Sequence, residues 1–305
     1  MKLQVRHETV YDYAPAVKTA QHLAHLRPRD LGGQRLLHHN LVIDPLPAQR
    51  SEVVDCWGNT RTFFSLLDMH EQLRVVADSL VTTSTVPEPA SAMPWEEVRE
   101  RMRYHRDAAY DPAAEFVFAS PHVPLHDDFQ AYALASFTRE RPLPEAAREL
   151  MARIHADFEY EPLATDVSTP ALQAFEMRKG VCQDFAHIML ACLRALSLPA
   201  RYVSGYVLTT PPAGQPRLLG ADASHAWVSI YLPGGKPMVE QAGCSTGQWF
   251  DLDPTNKRSA GEDYVTLAVG RDYADVSPVR GVIHGGARHE LRVAVTVTPL
   301  ASVEQ

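Results

Sequence analysis

No stretch of the chain approaches the roughly 18 consecutive apolar residues that cross a bilayer. Its first residues, MKLQVRHETVYDYAPAVK, lack the apolar segment of a secretion signal. The expectation is a soluble, cytoplasmic protein with no membrane partner. Basic runs are equally scarce: 29 Lys and Arg stand against 37 Asp and Glu, the net charge is −8, and no five basic residues are consecutive. Nothing here would track a phosphate backbone, so nucleic acid is excluded as a partner. Only four cysteines, Cys56, Cys182, Cys192 and Cys244, occur in 305 residues, and none forms a C-x-x-C pair. That excludes a disulfide framework and predicts free thiols. Neither G-x-G-x-x-G nor a P-loop is present, which removes support for a nucleotide cofactor. The 14 histidines include His22/His25, His38/His39 and His122/His126, but none has zinc-site spacing. No metal and no cofactor are therefore expected.

What the chain does have is a change of texture. Residues 1–88 read as a β-rich domain, in which LQVRHETVYDY, LLHHNLVIDPLP, EVVDCWGNTRTFFSLL and EQLRVVADSLVTT are separated by turn signals such as Trp57-Gly58-Asn59. The Pro/Ser/Thr-rich TTSTVPEPASAMP marks a boundary, and residues 89–305 form the second unit with a β tail, LRVAVTVTPL. Three helices are predicted in PWEEVRERMRYH, DDFQAYALASFTRERP and PLPEAARELMARIHADFEY. A fourth, ALQAFEMRK, is closed by Gly180 in the left-handed position after its end. Phe185, Ile188, Met189, Cys192 and Leu196 recur at helical spacing until Ser197-Leu198-Pro199 stops the pattern. The period then switches to two in RYVSGYVL, SHAWVSIYL and QWFDLD. The overall class is α+β.

Cys182 lies at the first turn of the buried helix. There the helix dipole favours a thiolate, and unpaired N–H groups can meet an oxyanion. Such a nucleophile needs a base on a rigid element. Strand alternation in SHAWVSIYL puts Ala226, Val228, Ile230 and Leu232 on a core face and His225, Trp227, Ser229 and Tyr231 on the other. His225 is thus a plausible base. A carboxylate must orient it, and QWFDLDPTN offers Asp251 and Asp253, which lie roughly 6–7 Å apart along a strand. Asp253 is the favoured orienter because Pro254 ends the strand there, and Asp251 is the alternative.

The combination Gly180-Val181-Cys182-Gln183-Asp184-Phe185-Ala186, Ala200-Arg201-Tyr202-Val203-Ser204-Gly205-Tyr206, Ser224-His225-Ala226-Trp227 and Asp253-Pro254-Thr255-Asn256 resembles the core of the transglutaminase-like superfamily. It most resembles the bacterial branch described as transglutaminase-like cysteine proteases, and the N-terminal β segment, ATDVSTPA and VGRDYADVSPVRG share the likeness. The resemblance implies Cys182 as nucleophile, His225 as general base and then acid, and Asp253 as orienting carboxylate. It also implies a papain/transglutaminase-like fold, with the nucleophile helix packed on an antiparallel sheet. Gln183 stands where transglutaminases proper usually carry Trp, and residues 234–248 are long for the bacterial branch.

Other readings accompany these. Cys192 belongs to the apolar stripe and is structural, His187 is a hydrogen-bonded structural histidine, and Cys244 is an exposed thiol in a Gly/Ser-rich loop. Gln183 is a candidate oxyanion donor or a solvated side chain, and Asp184 lines the site or caps locally. Trp227 shields the His–Asp bond or walls a substrate groove. The expected activity is cleavage of an amide or isopeptide bond in a peptide or protein through a thioester, with hydrolysis ahead of amine transfer. The rival from another class is a non-catalytic module that binds a peptide in the same cleft.

Overall fold

Alternating burial from Lys2 onward, with Leu3, Val5, His7 and Thr9 inside and Gln4 and Arg6 outside, builds one long strand, β1 (Lys2–Ala24). The computed structural model describes residues 1–106, 110–209, 224–234, 247–286 and 288–300. β2 (Gln34–Asp44), β3 (Gln49–Val54), β4 (Thr60–Leu66) and β5 (His70–Thr83) join β1 in an antiparallel sheet of order β2-β5-β1-β4-β3. The tight turn from β3 to β4 needs Gly58, whose φ of 79° is left-handed.

The helical region follows as α1 (Trp95–Met102), α2 (Asp127–Leu134), α3 (Leu143–Asp157) and α4 (Ala171–Met177), with short strands β6 (Glu159–Tyr160) and β7 (Lys179–Gly180) and then α5 (Cys182–Ala195). The second predicted helix ends earlier than its sequence pattern, at Leu134. Every α5 residue from Asp184 to Arg194 is buried. Its Arg194 binds the carbonyl of Ala200 at 2.8 Å and Ser120 Oγ at 3.1 Å, and so ties the helix end to the sheet.

That second sheet comprises β8 (Ala200–Val207), β9 (Ser224–Leu232), β10 (Gln248–Asp253), β11 (Arg258–Ser259) and β12 (Tyr264–Gly270) in the order β11-β10-β9-β8-β12. α5 packs on the face carrying Ala226, Val228 and Ile230, as the alternation predicts. The chain closes with α6 (Tyr273–Val276), β13 (Val279–Gly285) and β14 (Arg288–Pro299). The fold is the α+β type with a β-rich N-terminal region. No helix among the described residues is long and apolar enough to cross a membrane.

Two expectations are corrected. The left-handed residue after α4 is Arg178 (φ 56°), not Gly180. Gly180 answers a different need: a Cβ there would lie 2.5 Å from Asp184 Oδ2 and 2.8 Å from Asp184 Cβ, so glycine lets Asp184 fold back over the chain entering α5. The C-terminal tail, grouped with the second unit in the sequence, instead pairs with the first sheet. β14 runs antiparallel to β1 from Leu3↔Pro299 to Ala14↔Arg288, and β13 continues the pairing along Val17–Ala24. The physical reason is a shared core: Leu3, Val5, Val81, Val295 and Val297 pack in the same apolar cluster as Phe185, Ile188 and Val228.

Two buried amides seal the junction. Gln34 Nε2 donates to the Thr266 carbonyl (2.8 Å) while its Oε1 accepts from the Thr266 N–H (2.7 Å). Asn59 pairs with both main-chain groups of Val269 in the same way, at 2.8 Å each. Each side chain thus stands in for a strand residue along the outer edge of β12, an edge whose unpaired polar groups would otherwise be exposed or orphaned.

Candidate active site

Cys182 is the first residue of α5. The chain enters extended at Val181, and the Val181 N–H donates to Asp184 Oδ2 at 2.8 Å, the reach-back half of a capping box. Thr165 Oγ1 donates to the same oxygen at 2.6 Å. Burial raises the Asp184 carboxyl above its ordinary range, against the pull of these two donors. Asp184 therefore fixes the helix start from beneath, and the first-turn N–H groups of α5 have no helical carbonyl to bond.

Cys182 is half-buried and opens onto a cavity of about 230 Å³. His225, second residue of β9, lines the same cavity and lies close enough to Cys182 for the thiol to help raise its pKa. The sequence places His225 on the sheet face turned away from α5. The two side chains nevertheless meet, because each lies at the end of its element, at the rim of the sheet.

His225 Nε2 donates to Asp253 Oδ2 at 2.6 Å, which leaves Nδ1 for the thiol. Asp253 is fully buried and collects four more hydrogen bonds. Oδ2 accepts from Tyr264 OH (2.7 Å) and Asn256 Nδ2 (2.7 Å), and Oδ1 from the N–H groups of Thr255 (2.8 Å) and Asn256 (3.2 Å). Burial would raise the carboxyl, but His225 foremost, then the Tyr264 hydroxyl and the Asn256 amide, hold it below its usual range. Burial alone would disfavour the imidazolium of His225, yet the bonds and charges of Asp253 and Cys182 outweigh it and push the pKa up to about 10.

Of the two candidate carboxylates, Asp253 is the one that reaches His225. Asp251 accepts from Trp227 Nε1 at 3.0 Å. Trp227 is fully buried behind the imidazole, with ring centroids 6.1 Å apart, and it packs edge-on to Tyr264 at 5.2 Å. It is absent from the cavity lining, so the groove-wall reading of Trp227 is corrected: its indole is anchored beneath the sheet by Asp251. Gln183 does line the cavity, and its Nε2 makes a long 3.4 Å bond to the Val167 carbonyl.

His187 is buried, accepts from the Tyr273 N–H at 3.2 Å and stacks on His122 at 5.3 Å. Burial first, then His122 and Arg194, keep it well below the ordinary histidine value, so it is a neutral structural ring. Cys192 is buried, and Cys244 lies outside the described residues. Among the described residues no group of three or more His, Cys, Asp or Glu is arranged to hold a metal.

Three neighbours escaped the sequence reading. Tyr202 lines the cavity, and burial foremost, with Cys182 next, raises its phenol well above the ordinary value, so it offers a neutral hydroxyl beside the thiol. Asn256 and Tyr264 anchor Asp253. Asn256 follows the Asp-Pro-Thr motif directly and was within reach of a closer reading. Tyr264 becomes a neighbour only through the hairpin after β10.

Comparison with known proteins agrees with this architecture. Residues 3–82 match the bacterial transglutaminase-like N-terminal region, and residues 131–254 match the transglutaminase-like superfamily. An uncharacterized protein of Mycobacterium tuberculosis is 38% identical over 304 residues, covering 98% of this chain and 93% of the relative. A protein-glutamine gamma-glutamyltransferase of Pseudomonas aeruginosa is 32% identical over 158 residues, 49% of this chain and 21% of that protein. Among solved structures, a candidate cysteine protease of Cytophaga hutchinsonii superposes with a TM-score of 0.69 at 20% identity, covering 99% of this chain and 92% of the other. That likeness is one of fold.

Proposed function

Because the chain belongs to the transglutaminase-like superfamily and carries the bacterial N-terminal region of that group, we propose that it hydrolyses amide or isopeptide bonds in peptides or proteins through a thioester on Cys182. The observation that carries this reading is His225 held between Cys182 and the five-fold hydrogen-bonded Asp253.

In the proposed reaction His225 already holds on Nδ1 the proton taken from Cys182, and the sulfur adds to the scissile carbonyl. The carbonyl oxygen gains the electron pair and is met by first-turn N–H groups of α5. Collapse of the adduct breaks the C–N bond as His225 returns its proton to the leaving amine. Water, deprotonated by His225, then adds to the thioester and releases the acid and the thiol. Throughout, Asp253 keeps the imidazole in the tautomer with hydrogen on Nε2 and offsets its positive charge.

The second reading is amine transfer, in which an amine takes the place of water at the thioester. The Pseudomonas relative favours it, and Gln183, where transglutaminases usually have Trp, weighs against it. The test is incubation of the purified protein with a mixed peptide library, with and without a primary amine, followed by mass spectrometry of products and intact protein. Hydrolysis predicts acids even when amine is present, and transfer predicts amine adducts. If Cys182→Ala converts the library as well as wild type, both fail. If no library member turns over or acylates Cys182, the non-catalytic module stands.

A further inference from the structure

The cavity at Cys182 is not built by the helical half of the chain alone. His7, Thr9 and Tyr11 of β1 and Leu291 and Val293 of β14 form the side facing the thiol. Strand register explains why these five are together. Tyr11 pairs with Leu291, Thr9 with Val293 and His7 with Val295, so all share one face of the N-terminal sheet. Along β14 this face reads Val297, Val295, Val293 and Leu291. The first two are fully buried in the common core, whereas Val293 and Leu291 are each 49% exposed. The apolar row thus runs on past what packing uses and enters the cleft.

Charge is sorted to the opposite face of the same strands. There Arg74 meets Glu8 at 2.6 Å, Arg6 meets Asp78 at 3.0 Å, and Arg292 Nε meets Asp12 at 3.2 Å. Of the β1 and β14 residues that line the cavity, the one imidazole is His7, buried between Thr9 Oγ1 and Tyr206 OH, each at 2.8 Å, while His289 lies further along the same face against Tyr11 at 5.8 Å and outside the lining. Burial lowers the His7 pKa to about 4, so it is neutral at physiological pH. A charged substrate side chain facing this wall would lose water and find no counter-ion, whereas an aliphatic or aromatic one would cover the bare Leu291 and Val293.

We propose that the N-terminal sheet is the specificity wall of the cleft, with Tyr11, Leu291 and Val293 receiving an uncharged, apolar side chain of the peptide next to the amide bond that Cys182 attacks. This rests on the reaction proposed above. It also gives the N-terminal region a role in the chemistry: it selects substrate as well as sealing the edge of β12.

The test compares Cys182 alkylation by iodoacetamide and by N-benzyliodoacetamide, each rate normalised to that with glutathione and followed by the mass of the peptide carrying Cys182. In wild type the benzyl reagent is favoured roughly tenfold, the size expected when a half-exposed aliphatic wall is covered. Leu291→Asp and Val293→Asp each bring the ratio down roughly five- to tenfold, an effect on the scale of the lost apolar burial. Val282→Ser, at an exposed position on β13 outside the cleft, leaves it unchanged. A wild-type ratio near one, or a ratio indifferent to both Asp variants at unchanged melting temperature, overturns the proposal. Peptide turnover against the Cys182→Ala control reports separately on the reaction, so the two readings can fail independently.

Discussion

Replacing Asp253 by Asn tests the centre of the site with one atom. Asp253 Oδ2 accepts from three donors at once, His225 Nε2 at 2.6 Å, Tyr264 OH at 2.7 Å and Asn256 Nδ2 at 2.7 Å, while Oδ1 takes two backbone N–H groups. A carboxamide keeps its oxygen facing the two backbone donors and turns an NH₂ group toward the other three. Tyr264 can rotate its hydroxyl to accept, but the imidazole can adapt only by moving its proton from Nε2 to Nδ1. It then presents a donor to Cys182 and cannot take the thiol proton. The expected fall in kcat/KM is roughly 10³–10⁴-fold, or about 4–5.5 kcal/mol on the barrier. Loss of the buried charge-assisted bonds should also lower unfolding free energy by about 3–5 kcal/mol. Peptide-hydrolysis rates and urea unfolding read the two effects. Asp251→Asn is the contrast: it touches only the Trp227 indole among these groups, and its rate should stay within about tenfold of wild type. If Asp253→Asn hydrolyses peptide within tenfold of wild type while Asp251→Asn loses more, the orienting role belongs to Asp251 and the reasoning fails.

Stability should depend on pH at both ends. His225 binds its proton more tightly in the folded state, at about 10 against 6.5 unperturbed, so its contribution is complete below pH 6.5, declines between 6.5 and 10 and is gone above 10. Asp253, held below its usual 3.8, contributes fully above that pH and loses its contribution as acid titrates the folded carboxyl. Urea midpoints across pH should show the alkaline decline in wild type and a flatter limb in His225→Gln; parallel limbs would contradict the coupling. Asn59→Ala should cost about 2–4 kcal/mol, because it orphans both the N–H and the carbonyl of Val269, and Gln34→Ala about 1–3 kcal/mol, because it orphans the Thr266 N–H while the Arg29 N–H still donates to the Thr266 carbonyl at 3.2 Å; a change under about 1 kcal/mol in urea unfolding would show that water replaces the amides.

The site's membership was readable wherever local pattern and chemistry coincide. Period-four burial marked α5, the glycine-led turn put Cys182 at its start, and period-two alternation with Pro254 singled out His225 and Asp253 on separate strands. What pattern misread was context. Trp227 alternates with His225 on the same face, but whether that face opens to solvent or is closed by Tyr264 depends on a hairpin that β9 cannot announce. Gly180 looked like a helix stop and proved to be a seat for Asp184.

The sequence by itself determined the secondary structure around the site and the class of fold, because helix and strand periods and capping chemistry act over a few neighbouring residues, and its resemblance to the transglutaminase-like superfamily implied the three residues that meet at the centre. Only the tertiary structure decided that β14 crosses back to β1, that Gln34 and Asn59 complete the edge of β12, and that Leu291 and Val293 face Cys182. Those contacts join residues more than a hundred positions apart, and they are selected by which apolar faces remain uncovered once the local elements have formed, a condition no short window of sequence contains.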